Sequence, residues 1–459
     1  MVVVFFFVEQ AISFVKDMGR FLLRKFIGYR FMLHVSSIFR ARCVYSVAFV
    51  VLGFVSIPVS LAAQSQLTLR SVLDSVVEGS PAMRAARMEA MASQEDVSAV
   101  ERRRWPTVSA IVESYSGNTR SYPSRALQVE QPIWDAGAIS AQISEAKASS
   151  DISQLKVYLQ QQDLFLQIIA SWQSILSSRE RSSVAQEALV RLRECQSQMR
   201  RRVDAEASPR IELDLADSRI LQTEVELASA QTSLQIAVTK IEQLTGELRL
   251  LGRISSIEPT PTLRATQSFY GEIDRADWFS IAATTPSVAK ARIEVVQLKS
   301  RLGAKEAEGW PQLFARAYKP IGTIPSSADT STTVFMGLRY SPGAGFANAV
   351  EARAIGTRVG GAEQAADVAL REMGQTLQSD SLEFVNSRAR IAALEKSVGG
   401  SALVLESYKR QFEAGRKSWQ DLLNAVRELA QNQYALADAR ASMAGAMYRL
   451  QIRMGREIN

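Results

Sequence analysis

Four landmarks recur in the same order at the same spacing, and they force a tandem architecture. Ser80-Pro81 precedes Trp105-Pro106 by 25 residues, as Thr285-Pro286 precedes Trp310-Pro311. Glu212 lies 34 residues before Gly246, as Asp421 lies 34 residues before Gly455. The chain carries one long unit twice, offset by about 205 residues. Each copy reads as helix, strand, strand, long helix, tight turn, helix. That layout points to an elongated, pseudo-symmetric object rather than a compact enzyme.

One proline-free stretch dominates each copy, Ala138 to Ala205 in the first and Phe346 to Glu413 in the second, 68 residues apiece. As helix, each spans about 100 Å at 1.5 Å per residue. In the second, Gly356, Gly360, Gly361, Gly374, Gly399 and Gly400 each weaken a helix. A shorter helix opens each copy, Pro81 to Arg104 and Pro286 to Glu308, with Ser80 and Thr285 placed as N-caps. Trp-Pro ends both, because the residue before proline is pushed out of the α region. The last helix of each copy carries a heptad seam. Leu213, Ile220, Leu227, Leu234 and Ile241 fall seven apart, with Ala216, Thr223, Ala230, Ala237 and Leu244 three later. Leu422, Leu429, Leu436, Met443 and Leu450 repeat it, with Ala425, Asn432, Ala439, Ala446 and Arg453. The alanines admit a close neighbour, as in a coiled-coil wall; an ordinary bundle is the plainer alternative. First and last helices, about 25 and 37 residues, together match the long one. Stacked end to end beside it, they make a strip two helices wide and about 100 Å tall.

Strand signals follow each Trp-Pro. Thr107 to Tyr115 alternates apolar and polar positions, and after a loop over Ser116 to Ser124 so does Ala126 to Gln131. Copy two offers Gln312 to Tyr318 and Thr332 to Tyr340. The first and last of these, nine residues each, approach the ~9–11 that a tilted membrane-spanning strand needs. Turn signals at Pro132 to Gly137 and Ser341 to Gly345 close the strand regions. Tyr115, Tyr122, Trp134 and Tyr340, with Trp105 and Trp310, fall near strand ends, where a membrane-interface belt would sit. Packing at the junction of helix and strand would place them there equally well.

Residues 1–62 read as a leader. Arg40 and Arg42 precede an apolar run, Val44 to Val59, and Ser60-Leu61-Ala62 presents the small residues of a signal-peptide cleavage site. The 18 residues from Val44 to Leu61 also approach a membrane anchor, against which Pro58 argues. A second apolar run, Val2 to Val8, is best explained by a start codon set too early, with Met18 or Met32 the true start. Of 54 basic and 47 acidic residues, seven and two lie in this leader, so the net charge falls from +7 to +2 without it. Basicity thus gives no ground for a nucleic-acid partner. His34, the only histidine, and Cys43 leave as well, so no histidine triad and no zinc or iron site of the usual kind remains. No cofactor and no enzymatic activity are expected. Cys195 alone cannot form an internal disulfide and reads as a small buried hydrophobe. The expected organisation is leader 1–62, repeat one 63–246, an equatorial linker 247–275, repeat two 276–455 and a tail 456–459.

Four strands cannot close a barrel, and lipid does not tolerate open strand edges. If the strands enter a membrane, the chain must associate, and three copies give a twelve-stranded barrel on a helical cylinder. The expected fold class is therefore mainly α with a small β part. Tandem helical hairpins would form an α-barrel, and four transmembrane strands per chain would close a trimeric β-barrel.

The chain resembles the TolC-type outer-membrane factor family over nearly all of its length after the leader. The matching pieces are Leu67-Thr68-Leu69 with Ser80-Pro81, Trp105-Pro106-Thr107, the run Val129 to Gly137, and the run Phe412 to Ala425. The last is most similar to the branch that serves type I secretion. The resemblance implies a homotrimeric tunnel in outer-membrane lipid with a periplasmic extension. It also implies docking onto a periplasmic adaptor protein and an inner-membrane transporter of ABC type. It further implies a periplasmic gate of acidic rings, for which Asp421 matches the first position while Asn424 stands where a second acid is common. An acid favoured by the helix dipole, with Glu212 its counterpart, is the alternative for Asp421. The adaptor-contact tips would be Ala207, Ser208 and Pro209 in copy one and Gly415, Arg416, Lys417 and Ser418 in copy two. Copy one departs from the family at Glu206 and Pro209.

Two other classes compete. A small-molecule efflux factor shares this architecture, whereas a periplasmic coiled-coil adaptor has one hairpin and more β structure. A hydrolase lacks any supporting motif here.

Overall fold

The computed structural model describes residues 68–116, 121–246, 260–321 and 331–456, all within one unit, Ala63–Asn459. The expected leader, residues 247–259 of the linker and the last three residues of the tail lie outside the described residues. So do the side chains of 113–116 and 121–124.

Helix α1 spans Leu69–Gly79, with Thr68 Oγ1 capping it by accepting from Ser71 N. Helix α2 is Pro81–Glu101, α3 Ala138–Asp204 and α4 Arg210–Thr245. Two short helices follow, α5 (Gln267–Ile273) and α6 (Trp278–Ala283), then α7 (Pro286–Ala307), α8 (Ala347–Glu413) and α9 (Trp419–Arg453). Both long helices, α3 and α8, have 67 residues. The glycines of α8 do not break it. Proline at the first position starts α2 and α7 as expected, but the preceding hydroxyls do not cap them. Thr285 Oγ1 instead donates backwards to Ala282 O at 2.7 Å.

The helices form one layer of four columns. Helix α3 packs against α2 and α4 on one side and against α7 and α9 on the other, and α8 packs against α7 and α9. The short helices stack end to end. Lys147 pairs with Glu101 at 3.1 Å near the start of α3, while Arg193 pairs with Glu224 at 3.1 Å near its end. They meet around Leu164, Ile168 and Ile169, where Met83 of α2 and Val238 and Ile241 of α4 join Leu69, Val72 and Val76 of α1 in one apolar cluster. Such half-exposed ion pairs add little; the buried seams hold the layer. In α9 the whole large-residue seam, Leu422, Leu429, Leu436, Met443 and Leu450, is buried, because this helix lies between α3 and α8.

The four strands make one antiparallel sheet in the order β1 (Thr107–Ser116), β2 (Ser121–Trp134), β3 (Gln312–Pro320), β4 (Thr333–Arg339). Strand β2 is longer than its sequence suggests. It takes in Ser121 to Ser124 of the expected loop, and the turn signal at Pro132 is a register shift between Pro132 and Trp134, where a strand proline is tolerated. Strands β1 and β4 are the open edges.

Candidate functional site

Register divides the sheet into two faces. Glu130 pairs with Thr107 on one side and Arg316 on the other, and Arg316 pairs with Phe335. Gln128, Tyr318 and Thr333 form the adjacent row, and Arg339 opposite Gln312 extends the same polar face. The opposite face carries Val108, Ala110, Val112, Leu127, Val129, Leu313, Ala315, Ala317, Val334, Met336 and Leu338, with Gln131 among them and Arg125 and Lys319 toward the end away from the helices. Among the described residues no element covers it: Val112 is 72 % exposed, Met336 66 % and Leu338 68 %. A contiguous apolar sheet face of this kind needs an apolar environment.

Trp134 and Tyr340 lie at the end of the sheet nearest the helices, with Trp105 and Trp310, and each is more than half exposed. Within the chain these rings do not fill a helix–strand junction. The backbone register pairs Tyr115 with Tyr122 near the opposite end; their side chains lie outside the described residues.

Both hairpin tips turn through the same backbone geometry. Gly415 takes the left-handed region at φ 70°, and Arg416 N returns to Gln411 O at 2.8 Å. Copy one places Glu206 there at φ 58°, with Ala207 N donating to Arg202 O at 2.8 Å. A side chain in this region costs about 1–2 kcal/mol. Glu206→Gly should therefore tighten the copy-one tip by about 1 kcal/mol, read as a roughly fivefold gain in amide protection at Ala207 by hydrogen exchange. Unchanged protection would show that Glu206 gains offsetting contacts. Ala207, Pro209, Gly415, Arg416 and Ser418 are exposed, while Ser208 and Lys417 are half-buried.

Ser418 caps α9 in a reciprocal box. Its Oγ accepts from Asp421 N at 3.1 Å, and Asp421 Oδ2 accepts from Ser418 Oγ at 2.7 Å and from Ser418 N at 3.4 Å. Lys417 Nζ lies 3.8 Å from the same oxygen. The Ser418 hydrogen bonds, then the Lys417 charge, hold the Asp421 carboxyl below the usual carboxylate range. Asn424 sits one turn further along, half-buried.

A contact invisible in the sequence locks the two tips together. Trp419, 2 % exposed, donates from Nε1 to Glu212 O of α4 at 2.9 Å. Its ring lies 5.4 Å from Phe412, and Arg202 stacks on the far partner, 5.0 Å above the Phe412 ring. Around them Met199, Ala216, Leu422 and Leu423 complete a buried cluster that also encloses Cys195. Burial pushes the Cys195 thiol up to about 11, which keeps it unreactive.

Comparison with known proteins locates this architecture. The family model described as "Outer membrane efflux protein" matches residues 72–247, which is the first copy. The cobalt-zinc-cadmium resistance protein CzcC of Cupriavidus metallidurans is 25 % identical over 338 residues, 71 % of this chain and 75 % of that protein. Among solved structures, the transmembrane-channel-forming protein CusC superposes with a TM-score of 0.74 at 13 % identity, covering 85 % of this chain and 92 % of CusC. The outer membrane protein VceC of Vibrio cholerae gives 0.71 at 15 % identity, covering 84 % and 96 %. The fold is that of these outer-membrane channels. The solved structures establish the fold, and the family model covers the first copy.

Proposed function

We propose that this chain is one third of an outer-membrane efflux channel, a passive conduit that carries solutes from the periplasm to the outside. One observation carries the reading: sheet and helical layer are open at the same two edges, in the same order. Strand β1 and the α2–α4 column bound the copy-one side; β4 and α8 bound the copy-two side. Side-by-side copies would join β4 to β1 and α8 to the α2–α4 column in one operation. The outer helices expose apolar residues for this, Leu221 (62 %) and Val225 (68 %) on α4 and Leu403 (74 %) on α8. Heterologous contacts of this kind close into a ring. Three copies give twelve strands, with the apolar face toward lipid and the polar face toward the lumen.

At the other end, Asp421 and Asn424 would narrow the periplasmic mouth, and the tips at 207–209 and 415–418 would meet a periplasmic adaptor beneath an inner-membrane transporter. Among the described residues the hydrogen bonds and ion pair of the Asp421 carboxylate fall on Oδ2, which leaves Oδ1 for a cation on the axis. Asp421→Asn keeps an acceptor for the cap and removes the charge. It should raise single-channel conductance and relieve divalent-cation block severalfold in planar bilayers. Because the folded-state pKa is depressed, the charge and the cap persist above the ordinary aspartate value of about 3.9 and are lost only as pH falls through the lower folded value. Block in the wild type should therefore be equal at pH 7 and pH 5. Block that survives Asp421→Asn places the gate elsewhere.

The cargo favoured by the relatives is small: CzcC is named for cobalt, zinc and cadmium resistance. The second reading, type I protein secretion through an ABC transporter, rests on the Phe412 to Ala425 tip. Deleting the gene separates them. Heightened sensitivity to metals or small toxic solutes supports efflux, and loss of one large polypeptide from the medium supports secretion.

A further inference from the structure

The polar face of the sheet carries a feature that neither gate nor tips explain. Glu130, Arg316 and Arg339 form a fixed ionic cluster where the sheet meets the helices. Arg316 Nε donates to Glu130 Oε2 at 2.9 Å, and Arg339 Nη2 donates to Glu130 Oε1 at 3.0 Å. The carboxylate is thus held between two guanidiniums from the second copy. Both guanidiniums are also stacked on aromatic rings. Arg339 Cζ lies 4.6 Å from the Phe314 centroid, and Arg316 Cζ lies 4.9 Å from Phe314 and 5.5 Å from Phe335. Space for the Phe314 ring comes from Gly337 opposite it: a Cβ there would stand 2.5 Å from the ring.

This arrangement has an excess of one positive charge, and its geometry exposes the positive partner. Arg339 keeps 48 % of its side chain open while Glu130 keeps 20 %. A charge-neutral cross-strand pair would serve sheet stability as well. The second arginine engages the other carboxylate oxygen and leaves the cluster with a net positive charge on its solvent side. Arginine stacked over phenyl rings also loses little freedom on holding its position, so the charge stays at one depth.

We infer that Glu130, Arg316 and Arg339 build an electropositive collar at the inner end of the outer-membrane barrel, which favours passage of anions and anionic solutes. The inference rests on the trimeric channel reading, which turns this face to the lumen. In three copies, six guanidiniums face three carboxylates at one level, a ring of about +3. The acidic mouth proposed around Asp421 lies at the far end of the helices, roughly 100 Å away by the length of α3, far beyond the screening length in salt. The two rings therefore act independently, one admitting and one selecting.

The test is the permeability ratio of chloride to potassium, from reversal potentials of the purified full-length channel across a salt gradient in planar bilayers. Arg339→Gln should lower that ratio at least about twofold, and Glu130→Gln should raise it. The two replacements move charge in opposite directions, so general damage to the barrel cannot mimic both. An equal ratio in wild type and both variants, with conductance intact, overturns the collar and leaves the channel reading standing. A wild-type protein that forms no pores removes the channel reading, and the collar with it. Asp421→Asn serves as the independent control, since it should change cation block without cancelling the effect of either collar variant.

Discussion

Met336→Arg should abolish recovery of the protein from the outer membrane, while Thr333→Arg should leave it there. Both positions lie on β4, three residues apart, on opposite faces of the sheet. Met336 is 66 % exposed on the apolar face, among Val334, Leu338, Ala315 and Ala317. An arginine facing lipid near mid-depth costs about 2–4 kcal/mol per chain. Three chains repeat the penalty, which exceeds what a marginal assembly tolerates. Thr333 opposes Tyr318 on the polar face, where a charge stays hydrated. Fractionation of cells expressing each variant measures the difference. Equal membrane yield of both would mean that the apolar face does not meet lipid.

Trp419→Ala should unlatch the two hairpin tips. The substitution removes a fully buried indole, its 2.9 Å bond to Glu212 O and its contact with Phe412. Large aromatic-to-alanine changes in buried clusters cost about 3–5 kcal/mol. This one falls on the only side chain seen to tie the start of α9 to the start of α4 by a hydrogen bond among the described residues. The helices above the cluster keep their own seams, so the loss is local. Amide protection over 199–216 and 412–426 should fall by more than about a hundredfold, with the sheet unaffected. In bilayers the variant should show long open dwell times. Trp419→Phe, which keeps the ring packing, should recover most of the protection. A Trp419→Ala tip as protected as wild type would show that Leu422, Leu423 and Met199 suffice without the indole.

Much of the fold was legible because helices of this length leave unmistakable traces. The absence of proline from Ala138 to Ala205 and from Phe346 to Glu413 predicts long helices, and each proves to be 67 residues. The six glycines of α8 suggested a weaker element. The helix persists because packing against α7 and α9 along its length outweighs their propensity cost. Strand limits were less clear. Pro132 read as a turn, yet it sits at a bulge inside β2, which pairs with β1 and β3 over most of its length. Ser80 and Thr285 looked like caps, but burial and an upstream carbonyl claim the Thr285 hydroxyl.

The site divides in the same way. The tips and Asp421 could be read locally, from a glycine, a serine and an acid three residues on. The Trp419 latch joins residues 207 apart, and the Glu130–Arg316 pair joins residues 186 apart. Neither shows any local pattern, since pairing of β2 with β3 exists only once both copies have folded side by side. Alternation marked Glu130 as polar-facing; only register reveals what it faces.

Native mass spectrometry of detergent-extracted protein from outer membranes would test the stave account most directly. The account predicts a particle of three chains, stable while detergent covers the sheet. A single chain that remains monodisperse in detergent-free buffer, with Val112, Met336 and Leu338 still exposed, would contradict it.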